Sequence, residues 1–551
     1  MEETRNQASI SDVATDAKTN AAPDIKPKKQ PSAHVGRDAT LLTFSQVATS
    51  AIAMLITMIL SRIRTKAEYG TYNQILMVVN LLTSILMLGL PKSLNYFLAR
   101  ADTKEEKQKF LSFYYTLNTI LSFIVGAVLC LSVWLIEKYF ENYEIHKFLY
   151  FLALFPWTKI ICSSIENLLI VYKRAKSLVA FRILNSIALL GSVVIIWAFD
   201  DSIKRTFRVN SSFTAYMIVY LAVEIAFAVA VYIIAARTSG GIRPYLSMKM
   251  IKTVMVFSIP LGLAQVVGTL NVELDRLLIG KTMDTESFAV YSNAAKELPV
   301  TVIASSFTAV LLPQMVRLLK KERNRDALKL WGNATTLSLA IIAIIGTGCF
   351  VYAEDVIEIL YGEKYLAGAW VFRMYALHLL LRVTYYGMVL NSIGKTRFIF
   401  WCSIGALSSN AVLNIAFYYL FRHIPAFSFL DKHMLAPAIA TLVSTTFMAA
   451  IQLTVTSKCL GVKLRHVFPW LEILRIIAVN AAFGAVFYAI KRLVPMERVL
   501  SFEIHLFGKE RYFNGSMAES VILGIVWAVA YFAIMLPSLK KKWHALKVKE
   551  D

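Results

Sequence analysis

Charged residues are scarce in this chain. Only 17% of its 551 residues are Asp, Glu, Lys or Arg, and 57% are hydrophobic, whereas a soluble protein carries roughly 25% charged residues. Acidic residues are the scarcer sign, 36 against 58 basic ones, which gives a net charge of +22. The basic residues lie in short segments between apolar stretches, a distribution typical of membrane-protein loops. We therefore expect no nucleic-acid binding.

Cysteine pairs and catalytic motifs are also missing. The five cysteines show no CxxC spacing, which favours small apolar core residues over metal ligands: Cys130, Cys162, Cys349, Cys402 and Cys459. The sequence contains no GxSxG, Walker A or HExxH pattern. We predict that the protein is not an enzyme and has no metal site or cofactor, so that any transport is driven by an ion, voltage or substrate gradient. Residues 1–38 lack an apolar signal-peptide core.

Long apolar stretches dominate the remainder of the chain. About 20 apolar residues cross a bilayer as a helix, and the pattern predicts fourteen spans, of which 335–352 and 371–390 are short: 40–61, 74–98, 110–135, 148–171, 179–199, 214–235, 253–278, 288–312, 335–352, 371–390, 398–420, 435–457, 468–490 and 518–536. Lys and Arg concentrate in alternate loops, which places both termini in the cytoplasm of a plasma membrane. The segment 491–517 is either an interfacial amphipathic stretch or an exposed loop.

Several spans carry charges, which are costly in hydrocarbon and usually face a wet cavity or a partner. Lys159 and Arg382 lie near the middle of their spans, while Arg62, Lys92 and Arg276 lie nearer span ends. These charges either line a wet cavity or form buried ion pairs between helices. Such pairs would be Lys159 with Glu166 or Glu224, or Lys296 with Glu273. Four acids are conceivable H⁺ or Na⁺ coupling sites: Glu224, Glu273, Asp275 and Glu297.

The first and seventh spans resemble each other. The first ends Ser61-Arg62-Ile63 and is followed by Glu68-Tyr69-Gly70; the seventh ends Asp275-Arg276-Leu277 and is followed by Ser287-Phe288-Ala289-Val290-Tyr291. The next spans share a late Leu-Pro, at Leu90-Pro91 and Leu312-Pro313. An offset of six spans predicts two lobes of the same orientation, related by an axis along the membrane normal.

These motifs also resemble a known family. The runs 61–72 and 88–97, with Ser258-Ile259-Pro260-Leu261 and Asp275-Arg276, are similar to bacterial polysaccharide transporters, the O-antigen and oligosaccharide flippases. Their superfamily also holds lipid II flippases and multidrug exporters. The resemblance implies an all-α membrane fold, two six-helix lobes around a cavity, alternating access and two extra helices. The expected division is a disordered cytoplasmic tail (1–38), an N-lobe (39–237), a C-lobe (238–460), an extra helix pair (461–538) and a basic tail (539–551).

The sequence thus predicts a flippase for an undecaprenyl-pyrophosphate-type oligosaccharide, used in cell-surface polysaccharide synthesis. The alternatives are a lipid II flippase, or a cation-coupled drug exporter, which would favour an acidic or aromatic cavity. Cations suit a phosphate-bearing substrate, and the substrate-binding candidates are Arg62, Lys92, Lys159, Arg276, Lys296 and Arg382. Expected partners are the lipid-linked substrate, membrane lipids and polysaccharide polymerase machinery, and we expect a monomer.

Overall fold

Apolar helices form nearly all of the structure, a computed structural model that describes residues 32–207, 211–296, 298–493, 502–506, 509–513 and 515–546. The first lobe comprises α1 (Ser32–Ile63), α2 (Lys66–Met87), α3 (Leu90–Arg100), α4 (Lys104–Leu131), α5 (Val133–Phe140), a 3₁₀ turn (Tyr143–Phe148), α6 (Leu149–Val171), α7 (Ala175–Ala198), α8 (Asp200–Phe207) and α9 (Phe213–Ser239). Helix α1 begins inside the predicted 1–38 tail, of which residues 1–31 lie outside the described residues.

The second lobe repeats this order of elements. It comprises α10 (Met248–Thr282), α11 (Thr285–Ala294), a 3₁₀ turn (Pro299–Thr301), α12 (Val302–Lys320), α13 (Asn324–Val351), α14 (Ala353–Tyr361), a 3₁₀ turn (Glu363–Gly368), α15 (Ala369–Leu379), α16 (Met388–Ser392), α17 (Thr396–His423), a 3₁₀ turn (Pro425–Phe427), α18 (Ser428–Lys432) and α19 (Leu435–Leu460). In both lobes a long helix, a short helix and a 3₁₀ turn precede the fourth span, as the six-span repeat predicts.

The remaining elements follow the two lobes. They are α20 (Leu464–Val467), α21 (Trp470–Leu493), the antiparallel strands β1 (Phe502–Leu506) and β2 (Lys509–Phe513), and α22 (Gly515–Leu546). The hairpin occupies part of the predicted 491–517 segment. Helices α21 and α22 form the extra pair, and both pack against α13 of the second lobe.

Thirteen helices within the described ranges are long and apolar enough to cross a membrane. They account for every predicted span except the tenth, 371–390, when α11 and α12 are counted together as the eighth. Helix α15 ends at Leu379, and turns separate it from the short α16. The nonhelical stretch is held inside the protein, since the Trp331 indole N–H donates to the Thr384 hydroxyl at 2.8 Å. Irregular backbone at membrane depth is tolerated under such protection.

The second span is also broken, between α2 and α3. Leu88 and Gly89 both have positive φ, 38° and 75°, a conformation that favours glycine. The break packs directly on α10 of the other lobe: a Cβ built on Gly262 would lie 2.1 Å from the Leu88 carbonyl carbon. The two lobes therefore meet backbone to backbone at this point.

Two ends of the bundle are distinguished by their loops. One end carries the loops that follow α3, α6, α9 and α12, and we call it the basic end. Its exposed cations include Lys104, Arg174, Arg243 and Lys321. The other is called the opposite end. There, carboxylates pair with several cations, as in Lys66–Glu286 at 2.9 Å and Lys281–Glu141 at 3.8 Å.

Candidate functional site

A charged cluster lies between the two lobes. Lys159, the eleventh of the 23 residues of α6, is half-buried near mid-membrane. It lies within electrostatic reach of Glu224 on α9 and Glu273 on α10, so the cluster joins both lobes. The two carboxylates are buried, 7% and 6% exposed. Among the described residues Lys159 forms no salt bridge. Its charge is therefore stabilised by longer-range attraction to Glu224 and Glu273.

Two more cations extend this cluster in the second lobe. The Arg276 guanidinium pairs with Glu273 at 3.2 Å and acts electrostatically on Lys296. Lys296 follows α11 where the eighth span breaks, and its ammonium donates to the Thr57 hydroxyl of α1 at 2.6 Å. Lys296 is solvent-accessible although protein atoms surround it, as expected of a group that lines a cavity. The cluster thus holds three cations and two carboxylates.

Lys296 also shares a narrow pocket with Arg382, which lies just beyond the end of α15. His378 and Tyr375 complete the polar part of its wall, and the His378 ring contacts the Thr445 hydroxyl at 3.2 Å. The structure therefore brings together two cations that are far apart in the sequence.

Arg62 lies elsewhere, at the opposite end. Its guanidinium donates to the Glu358 carbonyl at 2.9 Å and to the Ile359 carbonyl, close to the C-terminus of α14. In return, the Lys364 ammonium of the second lobe donates to the Arg64 carbonyl, just after α1. Cations are favourable at helix C-termini, where carbonyls lack partners. Each lobe thus caps a helix of the other.

Further contacts close the opposite end. Gly70 of α2 packs so tightly on α11 that an added Cβ would lie 2.2 Å from the Thr285 carbonyl oxygen. The Tyr69 hydroxyl donates to Asn293 at 2.8 Å. The space between the lobes is therefore sealed at this end.

The two lobes also meet at the basic end. Beyond the Gly89–Gly262 contact, the rings of Tyr96 on α3 and Phe257 on α10 stack at 4.2 Å. Helices α1 and α12 do not pack extensively on each other in the described residues. Lys92 lies on α3 at this end, and its side chain is outside the described part of the structure.

Asp275 forms a separate site inside the second lobe. Its carboxylate is 2% exposed and accepts from Tyr375 at 2.8 Å, Thr441 at 2.7 Å, Asn414 at 3.1 Å and Tyr291 at 3.3 Å. The donors come from α15, α19, α17 and α11, so one carboxylate ties together five helices. Hydrogen bonds of this number compensate the cost of burying the charge.

Two amide side chains of α17 lie beside this carboxylate. Asn410, one turn before Asn414 on α17, places its side-chain oxygen 2.9 Å from the Asn414 amide nitrogen. The Asn414 side-chain oxygen is buried and has no hydrogen-bond partner among the described residues. Carboxylate, amide and hydroxyl oxygens are the ligands that hard cations prefer. No group of three or more His, Cys, Asp or Glu in the described residues could hold a metal.

Other sequence-predicted pairs differ from those observed. Glu166 pairs with Arg182 at 2.5 Å rather than with Lys159, and Glu273 pairs with Arg276 rather than with Lys296. Glu297 lies outside the described residues. Sequence reasoning missed Thr57, Asn410, Asn414 and Thr441, although Asn410 and Asn414 are polar residues four apart in an apolar span, a spacing that places both on one helix face.

The fold is shared with known membrane transporters. A lipid II flippase MurJ in an inward closed conformation matches with a TM-score of 0.61 and 16% identity, covering 91% of this chain and 99% of the other. An inward-facing multidrug resistance MATE transporter of the MOP superfamily matches with a TM-score of 0.55 and 13% identity, covering 76% of this chain and 98% of the other. A Vibrio cholerae MATE transporter matches with a TM-score of 0.52 and 12% identity, covering 83% of this chain and 99% of the other. A search of curated proteins finds no match. The chain therefore has the many-span helical fold of these proteins.

A match to a family model is more specific. Residues 59–369, over half of the chain, match the family described as "Polysaccharide biosynthesis protein". The chain belongs to this family. The resemblance seen in the sequence motifs is thereby confirmed.

Proposed function

We propose that the protein moves a lipid-linked oligosaccharide, carried on a phosphate or pyrophosphate, from the inner to the outer leaflet of a plasma membrane. The observation that carries this proposal is the cluster of Lys159, Arg276 and Lys296, in which cations of both lobes are connected through Glu273 and Arg276. Three cations against two buried carboxylates leave a positive balance, which favours an anionic head group over a cationic drug.

The route follows from which end is closed. Lys and Arg favour the cytoplasmic side, so the basic end is the cytoplasmic one in this proposal. The head group enters between α1 and α12, where the lobes lack extensive contact, while the apolar tail remains in the bilayer. Release on the far side requires the opposite end to open, which breaks the Arg62, Lys364 and Tyr69 contacts.

We further propose that Asp275 couples transport to H⁺ or Na⁺. Its carboxylate, the unpaired Asn414 oxygen and the Thr441 hydroxyl provide oxygen ligands from three helices. Occupation by a cation changes how these helices pack, and so connects binding to lobe movement. Glu224 and Glu273 lie nearer Lys159 and belong with the substrate cluster in this account.

The test is leaflet accessibility of a labelled undecaprenyl-pyrophosphate oligosaccharide in proteoliposomes. Intact protein is compared with Lys159→Ala and Lys296→Ala, and with Lys138→Ala, an exposed lysine on α5 outside the cluster. We expect translocation to collapse in the first two variants and to persist in the third. Uptake of a cationic dye without any translocation of the oligosaccharide would contradict the proposal and favour a drug exporter.

A further inference from the structure

A second cavity lies on the flank of the first lobe, away from the charged cluster. It has a volume of about 630 Å³ and lies between α4, α6 and α9, beside the loop that joins α9 to α10. Trp157 on α6 forms part of its wall. Lys159 lies two positions after Trp157, a rotation of about 200° around a helix. The cavity and the charged cluster therefore lie on opposite faces of α6.

Three aromatic rings from three helices form one wall. Phe123 of α4 stacks on Trp157 at 5.9 Å with an interplanar angle of 15°, and Trp157 stacks on Tyr232 of α9 at 6.4 Å and 25°. Their polar atoms are engaged within the protein: the Trp157 N–H donates to the Tyr232 hydroxyl at 3.2 Å, and that hydroxyl also contacts Thr119. The ring faces are thus left as an apolar surface.

The cavity opens sideways to the membrane. Ile120, Phe123 and Ile233 line it and are 44%, 46% and 47% exposed, although they lie within predicted membrane spans. An apolar opening at this depth is filled by a lipid chain, because water cannot satisfy such a surface.

Three exposed cations lie near the residues that line the end of the cavity beside the α9–α10 loop. Arg243 lies between two lining residues of the α9–α10 loop and is exposed, and Arg237 follows the lining residue Ala236 and is exposed. Lys109 lies seven residues before Thr116, two helical turns below it on the same face of α4. The loop is fixed in place, since the backbone N–H groups of Arg243 and Tyr245 donate to the hydroxyls of Ser112 and Thr116, each at 3.2 Å.

We propose that this cavity is a binding site for one anionic phospholipid of the leaflet at the basic end. Its acyl chain lies on the wall formed by Phe123, Trp157 and Tyr232, and its phosphate is held by Arg243 and Lys109. The occupant is not the tail of a substrate whose head lies in the charged cluster, because α6 separates the two spaces. The site is independent of the proposed transport substrate, and its test does not require transport.

Quenching of Trp157 fluorescence tests this proposal. The intact protein and Trp157→Phe are reconstituted in vesicles of phosphatidylcholine that contain either dibrominated phosphatidylglycerol or dibrominated phosphatidylcholine. The difference in quenched fluorescence between the two proteins reports the quenching of Trp157 alone. We expect the anionic lipid to quench Trp157 more strongly than phosphatidylcholine does. This preference for the anionic lipid should fall roughly fivefold in Lys109→Ala and again in Arg243→Ala, because each variant removes one cation.

Two further variants make the result specific. Lys321→Ala with Arg325→Ala removes exposed cations at the same end of the second lobe and is expected to leave the preference unchanged. Ala236→Phe fills the cavity and is expected to reduce quenching by both lipids. Native mass spectrometry of retained phosphatidylglycerol, in intact protein and in the Lys109→Ala/Arg243→Ala protein, provides a reading that does not depend on the folding of Trp157→Phe. Equal quenching by the two lipids, or equal retention in both proteins, would overturn the proposal.

Discussion

Lys159 is the residue on which the account of substrate binding depends most. Hydrogen bonds to charged groups contribute about 1.5–3 kcal/mol, so Lys159→Ala should weaken binding of a phosphate-bearing head group by roughly ten- to a hundredfold. Lys159→Arg retains the charge and should retain most of the affinity. Binding of a fluorescent pyrophosphate-linked oligosaccharide to purified protein measures this. Equal affinity in Lys159→Ala and Lys159→Arg would mean that the charge is not used.

Asp275 carries a second prediction at the scale of single residues. Asp275→Asn removes the negative charge from the oxygen cluster and should abolish the response of translocation to an imposed Na⁺ or pH gradient. The matched control is Asp284→Asn, because Asp284 caps α11 through its side chain and asparagine caps helices equally well. A gradient response that persists in Asp275→Asn would exclude this carboxylate as the coupling site.

Single residues also show where sequence reasoning stops. Charges within apolar spans are conspicuous, so Lys159, Glu224, Glu273 and Arg276 could be selected without a structure. Glu224 could also be offered as a partner of Lys159. The contact of Lys296 with Thr57 could not be predicted, because the two residues are 239 positions apart in the chain. Arg62 has the same position in the first lobe as Arg276 in the second, yet it binds carbonyls of α14, a contact that no periodicity encodes.

At the scale of elements, the broken second span makes a steric prediction. Gly262→Ala places a Cβ against the backbone of Leu88 and should destabilise the contact between α3 and α10 by about 1–3 kcal/mol, as overpacking does. Gly268 lies in the same helix with open space around it, so Gly268→Ala should be neutral or stabilising. Thermal unfolding in detergent compares the two, and equal midpoints would show that the close approach is not maintained.

The extra helix pair is fixed to the second lobe by a polar contact. Lys491 of α21 binds Asp355 at 2.5 Å and Ser520 of α22 at 2.8 Å. Lys491→Met should lower the stability by about 1–3 kcal/mol, whereas Lys540→Met, on an exposed part of α22, should not. The unfolding midpoints of both variants and of Asp355→Asn measure these changes in stability. Additive effects of Lys491→Met and Asp355→Asn would contradict a direct pair.

Element boundaries explain what the apolar pattern predicted well and what it missed. Apolar length alone located thirteen spans, because a bilayer sets the length of each helix. It could not reveal that 371–390 is interrupted, since the nonhelical stretch makes its contact, Thr384 with Trp331, to another helix that is distant in the chain. The capping box of Thr65 and Glu68 is local, and it fixes where α2 begins.

At the scale of the whole molecule, the two lobes are joined at the opposite end by polar contacts and close backbone packing. At the basic end they meet at the Gly89–Gly262 contact, while α1 and α12 do not pack extensively on each other. This asymmetry is what alternating access requires of one of its states, with one entrance sealed and the other able to admit a substrate. The account therefore predicts that the seal at the opposite end must break in every transport cycle.

The most direct measurement locks this seal. In a protein whose five cysteines are replaced, Lys66→Cys and Glu286→Cys substitute the ion pair that joins α2 to α11, and a cleavable thiol cross-linker bridges them. We expect translocation of the labelled lipid-linked oligosaccharide in proteoliposomes to stop when the bridge forms and to resume when it is cleaved. Undiminished translocation by fully bridged protein would contradict alternating access between the two lobes.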